Sequence, residues 1–176
     1  IAEEMTAFRE AGKEIIAYGE NYSNGSWFLA AHADEINLHD YGQALVTGYG
    51  SYRTYFRSLL DNLLVTVNVY RVGTFKSALE PFLGDEMSEA AEEANLFLFG
   101  GIWDAYQRAA EEARGLEQGR IQALADTAPD LLEAAGGNAA QAALDAGLLD
   151  TLVGRAAFRD QMIERFGADE DERNVE

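Results

Sequence analysis

Only two residues of this 176-residue chain, Lys13 and Lys76, carry an amine that chemistry could use; every other basic residue is arginine. Guanidinium stays protonated in proteins, whereas a lysine ammonium can give up its proton when its site lowers the pKa from about 10.4 toward roughly 7–8. A neutral amine can then take a proton from a nucleophile. Lys76 lies at the centre of RVGTFKSALEPF, residues 71–82, and is the candidate general base. The alternative is a solvated surface charge, because lysine side chains are mostly exposed.

The other candidate groups carry less. His32 sits among alanines and reads as a packed or partly exposed histidine. His39 and Asp40 are adjacent, but no further carboxylate or imidazole stands at ligand spacing, so no metal site is expected. The glycines at 48 and 50 lack the flanking residues of a dinucleotide or phosphate loop, and no cofactor is expected. Ser23, Asn24 and Ser26 occupy a polar turn before an apolar helix. Free backbone N–H groups there could form an oxyanion environment, while the simpler reading is a turn followed by an N-cap serine.

Composition narrows the partners. The formal net charge is −18, with 31 acidic against 13 basic residues, which opposes a nucleic-acid partner and an anionic membrane surface. Cysteine is absent, so disulfides, thiolate catalysis and thiolate zinc sites are excluded together. The length suits one domain over residues 1–167 that needs no staple for stability. The chain starts at Ile1 and closes on the acidic run ADEDERNVE, so residues 168–176 read as a linker and the whole as a piece of something longer. Its longest apolar stretches fall short of the ~18 residues of a membrane span.

Strands alternate with helices in the first half. Residues 2–12 are expected as an amphipathic helix with Met5, Phe8 and Ala11 on one face. A buried strand EIIAYG, a turn ENYSNGS, a helix WFLAAHAD and a second strand EINLH follow. Residues 51–63 read as a helix, and VTVNVYRV, rich in β-branched residues, reads as the clearest strand of the chain. The alternation implies βαβ units and a parallel sheet covered by helices. Ser88 is a good N-cap for a helix to about Arg114, whose stripe of Leu96, Phe99, Trp103 and Tyr106 serves core packing or an oligomer contact. Helices are expected near 117–126, 130–135 and 138–146, separated by Pro129 and Gly136-Gly137. Gly147 then stands as the residue after a helix end, followed by a short strand and a last helix over 155–166.

These residues resemble a known family. RVGTFKSALEPF followed by GDEMSEAAEEA is similar to the lysine-bearing segment of the signal peptide peptidase A (protease IV) family. GENYSNGSWFLAAHADEINL upstream and AALDAGLLDTLV downstream fit that family in the same order, so the resemblance runs from Ile1 to Phe166. It implies an α/β fold of the Clp/crotonase type, a spiral of βαβ units with a parallel sheet flanked by helices. It also implies a serine protease with a Ser–Lys dyad that degrades remnant signal peptides. The long form of the enzyme has two tandem domains, the first supplying the lysine and the second the serine.

In the nucleophile-bearing repeat the strand-to-helix turn resembles G-x-x-A-A-S-G-G-Y. Laid on GENYSNGSW, the serine position falls on Asn24, which cannot be a nucleophile. The resemblance therefore points to the lysine-bearing domain of the long form, with Lys76 as its catalytic residue, Gly73 and Thr74 shaping the turn, and Ser77 binding backbone locally. It implies as partners a peptide substrate, the C-terminal domain of the same protein and further copies in a homo-oligomer. It places the parent on the inner membrane, with this domain on the periplasmic side. The competing readings are a self-sufficient domain with Ser23 as nucleophile, a non-catalytic assembly or substrate-binding domain, and a crotonase-type acyl-CoA enzyme.

Overall fold

A computed structural model describes residues 1–70, 72, 73 and 77–169 of the chain. Lys76 and Thr74 lie outside the described residues, as does the expected linker from residue 170 on. The chain divides into two compact units, Ile1–Gly48 with Gln107–Glu176, and Tyr49–Tyr106.

The first unit is built on a three-stranded parallel sheet in the order β1 (Ile16–Tyr22), β2 (Glu35–Ala44), β3 (Thr151–Leu152). The helix α2 (Asn24–Ala30) makes the crossover between β1 and β2, as a parallel pair requires. Helix α1 (Ala2–Glu10) precedes the sheet; α5 (Arg120–Asp126), α6 (Ala128–Ala134), α7 (Ala139–Asp145) and α8 (Arg155–Phe166) complete this unit. The core is Trp27, Ile36, Leu38 and Ile121, all without measurable exposure. Trp27 also donates its indole N–H to the Leu148 carbonyl at 2.7 Å, which fastens α2 to the turn after α7.

Both long strands extend beyond the expected limits. β1 continues through Glu20, Asn21 and Tyr22, which read as a polar turn, because Asn21 and Tyr22 pair with Gln43 and Ala44 of β2. Pairing breaks between Gly19 and Asn21, where β2 carries the extra residues of a bulge. Gly42 makes that bulge possible: a Cβ there would stand 2.2 Å from the Glu20 carbonyl oxygen. Helix α2 starts three residues earlier than expected and ends at Ala30, so His32 follows the helix instead of lying on it.

Charged residues bind the flanks of the sheet. Asp34 accepts from the Ile15 N–H at 2.9 Å and from Arg9 at 2.7 Å, and these hold its carboxyl below the usual range, the backbone bond more strongly. Asp150 accepts from the Ile36 N–H at 2.8 Å and pairs with Arg114 at 2.8 Å. Arg165 bridges Glu14 and Glu35.

Buried Tyr22 donates its hydroxyl to the Asn37 carbonyl at 3.0 Å, and burial, then neighbouring Tyr18, pushes its pKa up to about 12. The folded chain therefore keeps a proton that the unfolded chain releases near pH 10, so stability is complete below pH 10 and falls as pH rises toward 12. Tyr22→Phe removes this linkage. Urea titrations should show it less stable than wild type by about 1 kcal/mol at pH 8, the worth of a hydrogen bond. The variant should then lose about 2 kcal/mol less than wild type between pH 9 and 12.

The second unit contains α3 (Arg57–Asn62), a 3-10 turn over Glu80–Phe82 and most of α4 (Glu89–Arg114), which passes into the first unit at Gln107. Helix α3 is half the length expected from residues 51–63. The strand expected over VTVNVYRV is also corrected: residues 65–70 run without a strand partner among the described residues. β propensity records how a side chain fits a pleated, partnered surface, and here no ladder is offered. Helix boundaries with local signals agree better. Ser88 caps α4 by accepting from Ala91 N–H, Gly147 follows α7 at φ +76°, and α8 spans the expected residues and stops before Gly167. Pro129, expected between helices, instead sits at the start of α6, where its missing N–H costs nothing.

Candidate active site

The lysine segment belongs to the second unit. Thr74, Phe75 and Lys76 are outside the described residues, which resume at Ser77. Gly73 adopts φ +107°, a region that favours glycine. From Ser77 onward the chain is held by backbone bonds. The Ser77 carbonyl accepts from the Glu80 N–H at 3.1 Å and from Arg53 at 3.3 Å. The Pro81 carbonyl accepts from the Phe56 N–H at 2.7 Å, while Phe56 and Phe82 stack with centroids 6.0 Å apart.

Two carboxylates complete this frame. Asp85 accepts from both the N–H (2.9 Å) and the hydroxyl (2.7 Å) of Ser58, capping the start of α3, and these bonds lower its pKa. Glu80 is buried, 7% exposed. It accepts from the Ser88 hydroxyl at 2.5 Å and from the Ser88 N–H at 3.4 Å. A buried carboxylate is tolerated only with such partners.

The polar turn belongs to the first unit and is a cap. Ser23 is the N-cap of α2: its hydroxyl accepts from the Ser26 N–H at 3.3 Å, and the Ser26 hydroxyl accepts from the Ser23 N–H at 2.8 Å. The N–H groups of Ser23 and Ser26 are thus used locally. Asn24 reaches further. Its Nδ2 donates to the Gly48 carbonyl at 2.7 Å, and its Oδ1 accepts from the Thr47 N–H at 3.1 Å. One carboxamide thereby does the work of a β-ladder neighbour for the segment that ends this part of the unit.

His32 fits the plainer expectation of a packed histidine. His32 is buried, with Nδ1 2.8 Å from the Phe28 carbonyl and its ring edge-on to Phe28. His39 has Nδ1 2.9 Å from Asp40 and 3.1 Å from the Tyr41 N–H. No group of three or more possible metal ligands occurs among the described residues. On α4 the aromatic stripe divides. Trp103 and Tyr106 stack at 5.2 Å and both meet Tyr49 edge-on, and burial raises the Tyr106 phenol above its ordinary pKa. Leu96, at the other end of the stripe, is 67% exposed.

Neither the Asn24 strap nor the Glu80 clamp was anticipated from sequence. In a chain with 31 acidic residues no single glutamate stands out. The available signal was a carboxylate placed within the apolar run ALEPFL.

Comparison with known proteins adds the family. Residues 7–166 match the profile of peptidase family S49. Protease 4 of Salmonella typhi is 37% identical over 174 residues, which is 99% of this chain and 28% of that protein. Protease 4 of Haemophilus influenzae is 36% identical over 167 residues, covering 95% of this chain and 27% of the relative. The chain thus corresponds to only a part of each of these relatives.

Proposed function

Because the chain belongs to peptidase family S49, whose fold is the Clp/crotonase-like α/β type, we propose that it is the lysine-bearing domain of a longer serine protease. Lys76 is its general base, and the nucleophilic serine comes from another domain of the same polypeptide. Asn24 is the observation that carries this reading. It stands where the nucleophile-bearing repeat has its serine, and its carboxamide is committed to Thr47 and Gly48. Ser23 does not replace it, since its hydroxyl serves the cap of α2.

The chemistry then follows. Neutral Lys76 accepts the hydroxyl proton as the serine oxygen bonds to the scissile carbonyl carbon, giving a tetrahedral oxyanion. Collapse breaks the C–N bond, and the lysine ammonium returns its proton to the leaving amine, leaving an ester on the serine. Water deprotonated by the same amine hydrolyses that ester and restores the serine. A lysine with pKa near neutral needs a desolvated site, which contact with the second domain would provide. Large side chains of the second unit left in solvent support such a partner. Leu64, Tyr70, Val72 and Phe97 are 92%, 95%, 84% and 87% exposed.

In this reading the substrates are signal peptide remnants, and the assembled protein is a homo-oligomer anchored on the inner membrane with this domain on the periplasmic side. No helix among the described residues is long and apolar enough to cross a membrane, so the anchor belongs to another part of the polypeptide. A fluorophosphonate that acylates active serines tests the division of labour. The purified 176-residue domain should stay unlabelled, while the longer protein should be labelled at one serine outside these residues. Labelling of the isolated domain would overturn the proposal.

A further inference from the structure

We infer that Glu80 is a positioning residue for the peptidase reaction, acting through Ser88 to fix the backbone that begins one residue after Lys76. The inference rests on the reading of Lys76 as general base.

Buried carboxylates are costly and persist where hydrogen bonds compensate them. Only two carboxylates among the described residues are buried, Glu80 and Glu111. Glu111 is explained by a local duty, since it accepts from the Ile121 N–H at 2.9 Å near the start of α5. Glu80 does something different. Both of its oxygens engage one residue, Ser88, whose own hydroxyl accepts from Ala91 N–H and caps a 26-residue helix.

The linkage continues toward the lysine. The Glu80 N–H donates to the Ser77 carbonyl, which also receives Arg53. A short path therefore runs from the start of α4 through Ser88 and the Glu80 side chain to the Glu80 N–H and Ser77. A general base must stand within roughly 2.6–3.2 Å of its proton, and a misplacement of about 1 Å can cost on the order of 10²-fold in rate. An anchor that joins the lysine segment to a long helix limits such drift. A carboxylate suits this duty because two acceptor oxygens can meet the N–H and O–H of one serine, which leucine or methionine could not do.

The surrounding frame has its own supports. The Phe56–Pro81 backbone bond, the Phe56–Phe82 stack and the Ser58–Asp85 bonds do not pass through Glu80. Loss of the clamp should therefore loosen the lysine segment more than the unit.

The experiment uses the full-length protein and measures two quantities: the rate constant of fluorophosphonate acylation per reactive serine, and the final labelled fraction. Glu80→Ala should slow acylation and lower kcat by about 10- to 100-fold, with KM within about twofold and the final labelled fraction unchanged. Glu80→Gln keeps an acceptor oxygen for Ser88 and should recover at least about tenfold of that loss. Ser88→Ala breaks the clamp from the other side and should slow acylation in the same direction as Glu80→Ala, with the double variant less than additive. If Glu80→Ala does not fold, Ser88→Ala and Glu80→Gln carry the same comparison. Acylation at the wild-type rate in both clamp variants would overturn the inference, as would a reduced labelled fraction at unchanged rate, the mark of a purely structural role. Lys76→Ala separates the two levels. If it is silent while the clamp variants are normal, only Glu80 is misassigned; if it acylates normally, the assignment of the base itself falls.

Discussion

Arginine in place of Lys76 should leave the full-length protein nearly inactive although the positive charge is kept. Guanidinium cannot become neutral in the working pH range, so Lys76→Arg preserves any attraction to substrate and removes proton transfer alone. General-base catalysis is worth about 10²–10⁴-fold, and kcat/KM should fall by that amount. Lys76→Ala should fall as far, but should respond to added methylamine, a neutral base small enough for the vacated space. Lys76→Arg should not respond, because its own side chain still fills that space. A surface lysine predicts the opposite pattern, with both variants within about twofold of wild type, since solvated charges contribute little. Peptidase assays across pH with and without the amine decide between them, and unimpaired Lys76→Arg would refute the dyad.

The largest effect on stability is expected at Trp27. Its ring is fully buried and its indole N–H meets the Leu148 carbonyl at 2.7 Å. Trp27→Ala loses the packing of a large aromatic, about 3–5 kcal/mol, and leaves a buried carbonyl without its donor, a further ~1–3 kcal/mol. Domains of ordinary stability have only about 5–15 kcal/mol in hand, so this variant should be largely unfolded or close to it at 37 °C. Trp27→Phe keeps much of the ring and should show mainly the loss of the hydrogen bond. Urea unfolding followed by far-ultraviolet circular dichroism measures both. A cost below about 1 kcal/mol for the alanine variant would mean that α2 is not fastened through this residue.

What could be read from the sequence depended on how far each determinant reaches. Helix ends are set within one turn, so Ser88, Gly147 and Gly167 marked their boundaries correctly. Strand limits are set by a partner elsewhere. Glu20, Asn21 and Tyr22 look like a turn until Gln43 and Ala44 lie beside them, and residues 65–70 look like a strand although they pair with none among the described residues. The same difference governs the candidate site. Lys76 could be singled out as a candidate because lysine is rare in this chain and because its neighbours resemble a family segment. Asn24 and Glu80 could not, since their duties depend on Gly48 and Thr47 or on Ser88, and a single carboxamide or carboxylate gives no hint of them.

The strap formed by Asn24 also bears on how two such repeats could diverge. A serine at this position has one short hydroxyl and cannot reach both the Gly48 carbonyl and the Thr47 N–H, so reinstating it would release that segment before it created a nucleophile. On the proposed reading, a route to a self-contained protease would cross a variant that has lost an anchor and gained no activity. In the proposed division of labour, the Asn24 fastening makes the dependence on a partner's serine hard to remove by a single substitution. The proposed arrangement would act as a ratchet, a division of labour between tandem copies held in place by the fold as well as by the chemistry.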